Sequence, residues 1–251
     1  MKNTRLIARL DVKGKNLIKG VHLEGLRIIG DPQIHATQYY QDGVDEIIFM
    51  DTVASLYGRN NLSEIVERTA ENVFIPITVG GGVRSISDVR ELMKRGADKI
   101  AINTAAVENP NLISEIASIF GQQCVVLSVE ALKNSEGGWS IYTSNGREKS
   151  KFELLEWVNL AVELGAGEIL LTSIDFEGTN KGFDIDLLAT VNSSVDIPII
   201  ISGGMGQLQD VISATSNGAD AIAVADLLHY KKFKMSEIKE FAKTNQLNVR
   251  L

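Results

Sequence analysis

The sequence predicts an α/β protein of the (β/α)8-barrel class. Three observations predict it. Short β-rich runs alternate with amphipathic segments from end to end. Eight such units occupy 251 residues, the usual length of one closed barrel, and eight regular units favour closure over an open doubly wound sheet. An internal repeat aligns Ile75 to Thr104 without gaps on Ile197 to Asp226, an offset of 122 residues with 12 of 30 positions identical. An offset near half the chain predicts two similar four-strand halves. No linker or low-complexity stretch interrupts the pattern, so one domain over residues 1–251 is expected.

Strands are expected at residues 6–10, 46–50, 75–79, 99–103, 124–129, 168–172, 198–202 and 221–225. Helices are expected at 61–71, 85–95, 109–120, 151–164, 208–216 and 236–244. Asp31-Pro32 and Asn109-Pro110 each set a capping residue before a proline at the first helical position. Gly96 and Gly218, in GADK and GADA, stop two helices ahead of a strand. The stretches 12–31 and 133–147 follow strands 1 and 5 and are long for βα connections, which marks them for function.

Composition removes several classes. The net charge of -7 and a pI near 5.1 argue against a nucleic-acid-binding face. The single cysteine, Cys124, forms no internal disulfide and reads as a buried strand residue. The first residues show no secretory h-region, and the longest apolar run, near 197–201, is far short of the ~20 residues of a membrane span. A cytoplasmic protein is expected. His22, His35 and His229 have no metal-ligand spacing, so neither a metal nor a cofactor is expected.

In such barrels the chemistry lies at the C-terminal ends of the strands. Asp11, Asp51 and Glu130 are carboxylates there, as acid–base catalysis requires, and Asp11 and Glu130 come from opposite sides of the barrel. VGGGVRS and ISGGMGQ each join a strand to a helix, and bare glycines such as Gly81, Gly82, Gly203 and Gly204 let backbone N–H groups approach an anion. Asn103 and Thr104 would add donors to the first of these sites. Thr172, Ala225 and Asp226 end strands 6 and 8 beside the second. Two sites predict a substrate with phosphate at each end. At the opposite face Arg5, Glu46, Lys99 and Glu168 start strands 1, 2, 4 and 6. Two charges of each sign could pair into a ring about the axis.

RLIARLDVKGKNLIKGV, GDP, FIPITVGGGVRS, GADKIAIN, NPNLI, GAGEILLTSIDFEGT, IPIIISGG and the final VRL resemble, over essentially the whole chain, the HisF family. These are the cyclase subunits of imidazole glycerol phosphate synthase. The resemblance implies a barrel that docks a HisH-like glutaminase, as a separate chain, on its bottom face. Ammonia would pass through the barrel to attack a bis-phosphorylated ribulosyl formimino intermediate. Cleavage and cyclisation give imidazole glycerol phosphate and an aminoimidazole carboxamide ribotide. It further implies that Asp11 matches the first of two catalytic aspartates, that the four-charge ring is an ammonia gate, and that Lys19 lies on a mobile first loop.

Departures gather at the catalytic face. Glu130 stands where the family has its second catalytic aspartate. Phe176 and Glu177 replace an Arg-Asp pair just before Gly178 in the phosphate region. Asp226 replaces a small hydroxyl residue, and Arg9 a small residue near the end of strand 1. An Asp beside a phosphate repels it by around 4 kcal/mol per unit charge at ~4 Å and an effective dielectric of about 20. These departures support a second reading, in which the same ammonia forms an amidino group on a nucleotide-linked amino sugar for surface polysaccharide. A third is a non-catalytic barrel that only activates a glutaminase.

Overall fold

The computed structural model describes residues 3–54 and 62–250. Position 61, where the first long helix was expected to begin, lies outside them, and so does the closing Leu251. Among the described residues the strands are β1 (Arg5–Lys13), β2 (Asn16–Val21), β3 (Glu24–Gly30), β4 (Glu46–Asp51), β5 (Ile77–Gly80) and β6 (Lys99–Ile102). They continue with β7 (Val125–Lys133), β8 (Trp139–Thr143), β9 (Glu148–Glu153), β10 (Glu168–Ser173), β11 (Ile199–Ser202) and β12 (Ala221–Val224). The helices are α1 (Pro32–Gln41), α2 (Leu62–Ala70), α3 (Ile86–Lys94), α4 (Thr104–Glu108), α5 (Asn111–Phe120), α6 (Leu154–Glu163), α7 (Ile185–Asn192), α8 (Gln209–Ser216), α9 (Asp226–His229) and α10 (Met235–Thr244). None is long and apolar enough to cross a membrane.

Eight strands pair in parallel in the order β10–β11–β12–β1–β4–β5–β6–β7, and β7 pairs with β10 to close the barrel. Parallel strands buried on both faces need apolar side chains both inward and outward. Leu6, Ala8 and Leu10 pack outward in the main core beneath the helices. Ile7, Ile48, Val126, Leu170 and Ile200 pack with Ala221 and Ala223 as a second, inner cluster. The two-residue period then fixes what borders that inner cluster. Arg5 and Arg9 flank Ile7, Glu46 lies two residues before Ile48, and Glu168 and Thr172 flank Leu170.

Two strands overrun the rim. β1 continues to Lys13 because it pairs antiparallel with β2, and β2 with β3. β7 continues to Lys133 because it pairs with β8, and β8 with β9. The stretches expected to be irregular are therefore β-hairpins standing on the mouth. The helix expected at 151–164 begins later for the same reason, since Glu153 pairs with Ser140. Asp31 caps α1 as expected, accepting from the N–H groups of Gln33 (2.8 Å) and Ile34 (3.1 Å), with Pro32 at the first position. Asn109 does not cap α5: it ends α4, and Pro110 takes the cap position without a side-chain bond. Cys124 is not a strand residue. It closes a 3-10 turn, half-buried, with its thiol donating to the Phe120 carbonyl.

Residues paired by the repeat do the same work. Asp98 Oδ2 accepts from the N–H of Ile77 (2.8 Å) and Asp220 Oδ2 from that of Ile199 (2.9 Å). Asp45 does likewise for Leu6 (2.7 Å). Each aspartate precedes a strand and pins the start of its neighbour.

Candidate active site

The glycine loops are built as the sequence suggested. Gly81 has φ +93°, and a Cβ there would run into the Asp51 backbone. Gly204 has φ +110°, and a Cβ there would meet the Gly182 carbonyl. Only glycine serves at both. Two cavities open beside these loops at the barrel mouth. Gly81, Gly82, Asp51, Asn103 and Thr104 line the larger, with Arg9, Arg84, Glu130 and Asn145. Gly203, Gly204, Gly178, Ala225 and Asp226 line the other, with Lys19, Glu177, Asn180 and Ser202. The larger cavity thus sets Arg9 and Arg84 beside bare backbone, and the other sets Lys19 there together with Glu177 and Asp226; cation and bare backbone together suit an anion.

Between them lies a buried charge cluster. Arg9 Nε donates to Asp11 Oδ1 (2.9 Å), and Arg9 Nη1 to Thr172 Oγ1 (2.9 Å) and Ser202 Oγ (3.0 Å). Lys19 pairs with Glu177, both fully enclosed. Glu130 Oε2 accepts from the N–H of Gly146 (2.8 Å), in the turn between β8 and β9. Burial pushes the Glu130 carboxyl up to about 7, against the pull of Arg9 and the Gly146 N–H and with the help of Asp11 and Glu177. A carboxyl poised there can both give and take a proton near neutral pH. Burial also raises Asp51, whose Oδ2 has no hydrogen-bond partner among the described residues, against the pull of the Val53 and Ala54 N–H groups, the first of which bonds Oδ1 at 3.0 Å. Burial alone would lower Arg9 and Lys19, but the carboxylates around them hold both above their usual range.

The hairpins latch over this cluster. The His22 N–H donates to the Glu177 carbonyl (2.8 Å), and Asn145 Nδ2 donates to the Leu23 carbonyl (3.1 Å). The Ser144 N–H donates to Thr104 Oγ1 (3.1 Å), and Asn103 Nδ2 to the Tyr142 carbonyl (3.1 Å). Lys19, expected on a mobile loop, is 4% exposed and locked in its ion pair.

Two expectations need correction. Asp226 is not an uncompensated charge, because Lys232 Nζ binds it at 2.7 Å and also binds Asn180 Oδ1 at 3.1 Å. Lys232 therefore offsets part of the repulsion expected of Asp226. Thr172 lines neither cavity and instead anchors Arg9. Its neighbour Ser173 faces away from the mouth, donating to Asp184 Oδ2 (3.0 Å). Replacing Lys232 with Met should expose the Asp226 charge. The expected result is a KM for an anionic substrate raised roughly tenfold with kcat nearly unchanged, since screening at this half-exposed pair holds the effect well below the unscreened Coulomb value. Steady-state kinetics of the variant checks this.

Sequence reasoning missed Arg84, Asn145, Asn180 and Ser202 as lining residues. Arg84 directly follows the first glycine loop, and a cation there was a legible signal. Asn145 was hidden because its segment was read as loop.

At the opposite end the four charges close into a ring. Arg5 bonds Glu46 (2.6 Å) and Glu168 (2.5 Å), and Lys99 bonds Glu46 (3.1 Å) and Glu168 (2.8 Å).

A closed parallel barrel with carboxyls at the carboxyl ends of its strands, between two glycine-lined cavities, defines a (β/α)8-barrel enzyme with its chemistry at the mouth. The chain matches the histidine biosynthesis protein family over residues 5–234. It is 63% identical over 210 residues to "Imidazole glycerol phosphate synthase subunit HisF" of Legionella pneumophila, covering 84% of this chain and 99% of that one. It is 44% identical over 253 residues to the Mycobacteroides abscessus subunit of the same name, covering 98% of each. The Dehalococcoides mccartyi subunit is 43% identical over 252 residues, covering 100% of this chain and 99% of its own. This chain belongs to the histidine biosynthesis protein family and, within it, to the HisF cyclase subunits.

Proposed function

We propose that this chain takes ammonia from a separate glutaminase subunit and converts a bis-phosphorylated ribulosyl formimino intermediate to imidazole glycerol phosphate and an aminoimidazole carboxamide ribotide, a step of histidine biosynthesis. The observation that carries the reading is the arrangement of the mouth. Two glycine-lined cavities open at the mouth; Glu130 lines the larger, and Asp11, which lines neither, is bonded to Arg9 beside it, so a substrate phosphorylated at both ends and seated in both cavities would lie close to these carboxyls. Asp11 and Glu130 act as the acid–base pair. Gly81, Gly82, Asn103 and Thr104 hold one phosphate; Lys19, Gly178, Gly203, Gly204 and Ala225 hold the other. The Lys232–Asp226 pair reduces the main electrostatic objection to a second phosphate, and so supports this reading over the amino-sugar one.

Ammonium-dependent turnover of the ribulosyl intermediate by the chain alone tests it. High ammonium at mildly alkaline pH removes the need for the partner. Turnover supports the histidine-pathway reaction, whereas a folded barrel without turnover points to a changed acceptor.

The glutaminase would dock at the bottom face, where the ring of Arg5, Glu46, Lys99 and Glu168 spans the lumen. Replacing Glu46 with Ala removes one acceptor from both Arg5 and Lys99. Glutamine-dependent turnover should fall at least tenfold further than ammonium-dependent turnover, a difference of about 1.4 kcal/mol or more in the coupled route alone. Parallel assays with both nitrogen sources measure it, and equal losses would count against a gate.

A further inference from the structure

We propose that Arg9 is a positioning residue of this active site, a guanidinium strut across the barrel mouth that aims the Asp11 carboxylate by tying it to β10 and β11. The inference rests on the reading of Asp11 and Glu130 as the reacting carboxyls. Arg9 lies on the inner face of β1, two residues below Asp11, and is 2% exposed. In the barrel order β12 and β11 separate β1 from β10, so the side chain crosses the lumen to reach Thr172. All three of its hydrogen bonds are 2.9–3.0 Å long. A guanidinium presents its N–H groups in a rigid planar fork. Fixing Nη1 on Thr172 and Ser202 therefore sets the direction in which Nε–H points, and Nε–H holds Asp11. An ammonium in the same place would supply the charge without the direction. Arg9 also lines the larger cavity, so the strut belongs to the site and is not buried beneath it.

The test compares Arg9→Lys, Arg9→Met and Ser202→Ala in the full chain, by ammonium-dependent kinetics and by carboxyl titration. A reacting group misplaced by about 1 Å costs on the order of a hundredfold. Arg9→Met should therefore lower kcat by about that factor while KM stays within roughly threefold. Arg9→Lys should recover less than about a tenth of the loss, because charge without the fork does not restore aim. Ser202→Ala keeps the cation and removes one anchor, and guards against a misfolded Arg9 variant. It should lower kcat by roughly threefold or more, the scale of one hydrogen bond. The Glu130 titration reports the loss of the Arg9 charge separately from the loss of its aim. Arg9 and Asp11 face Glu130 from β1, Glu177 from the turn after β10, and the Gly146 N–H from the β8–β9 turn. Its titration should move upward in Arg9→Met and hold in Arg9→Lys.

Full recovery of kcat by Lys, or an unchanged kcat in Ser202→Ala, would overturn the strut. Absence of turnover in the parent protein sinks the proposed acceptor instead. The crystal structure of Arg9→Lys then decides: an Asp11 carboxylate displaced or disordered supports the strut, and one left in place overturns it.

Discussion

Replacing Asp11 with Asn lowers ammonium-dependent turnover by about 10²–10⁴-fold, the usual contribution of one acid–base group, while the barrel stays folded. The substitution is isosteric, and an amide Oδ1 still accepts from Arg9 Nε, so the bonds across the mouth persist. What is lost is the capacity to take or return a proton. Circular dichroism and melting of the variant separate this from unfolding. A barrel that merely activates a glutaminase would keep its full effect on that partner, and the same variant therefore distinguishes enzyme from scaffold.

Replacing Glu130 with Gln gives the second large effect, and it runs in opposite directions for activity and stability. The carboxyl is held at about 7 in the folded chain against an ordinary value of 4.5. Below pH 4.5 both states are protonated and the group contributes nothing. Between 4.5 and 7 the unfolded chain gives up its proton first, so folding stability falls as pH rises. Above pH 7 the full cost, about 3 kcal/mol, is present. A neutral Gln keeps an acceptor for the Gly146 N–H and carries no such cost. At pH 8 the variant should therefore melt roughly 6–12 °C above the parent chain. At pH 4 the two should melt together. Turnover falls at every pH. Calorimetry at both pH values, alongside kinetics, tests the sign as well as the size.

The barrel was legible because its signals are local and repeated. Apolar runs such as Ile197 to Ile201, glycine stops at Gly96 and Gly218, and carboxylates at strand ends each need only a few neighbours. Asp98 and Asp220, aligned in the half-chain repeat, each accept from the N–H that starts the neighbouring strand. What escaped was pairing. Asp11 and Glu130 looked like the ends of strands, yet both strands run on because hairpins fold back against them. The Ser144-Asn145-Gly146 turn, all at positive φ, was a readable hairpin signal between WSIYT and EKSKFE. It was hard to read because WSIYT is short and EKSKFE is mostly polar.

The electrostatics of the mouth were harder to read. Asp226 looked repulsive because Lys232, six residues on, could not be known to turn back onto it. Arg9 looked like a lone departure because its partners stand 163 and 193 residues away.

The pins at Asp45, Asp98 and Asp220 have a consequence for the charges beside them. They fasten the lower ends of the staves through backbone N–H groups, outside the lumen and independently of Arg5, Glu46, Lys99 and Glu168. Three strand starts are therefore held by one set of side chains, while the charge ring across the lumen is made by another. In the gate proposed above, Lys99 or Arg5 would swing aside with Leu6, Ile77 and Ile199 still held by their aspartates. If the ring is the proposed gate, opening would then be a side-chain event that leaves these strand starts fastened.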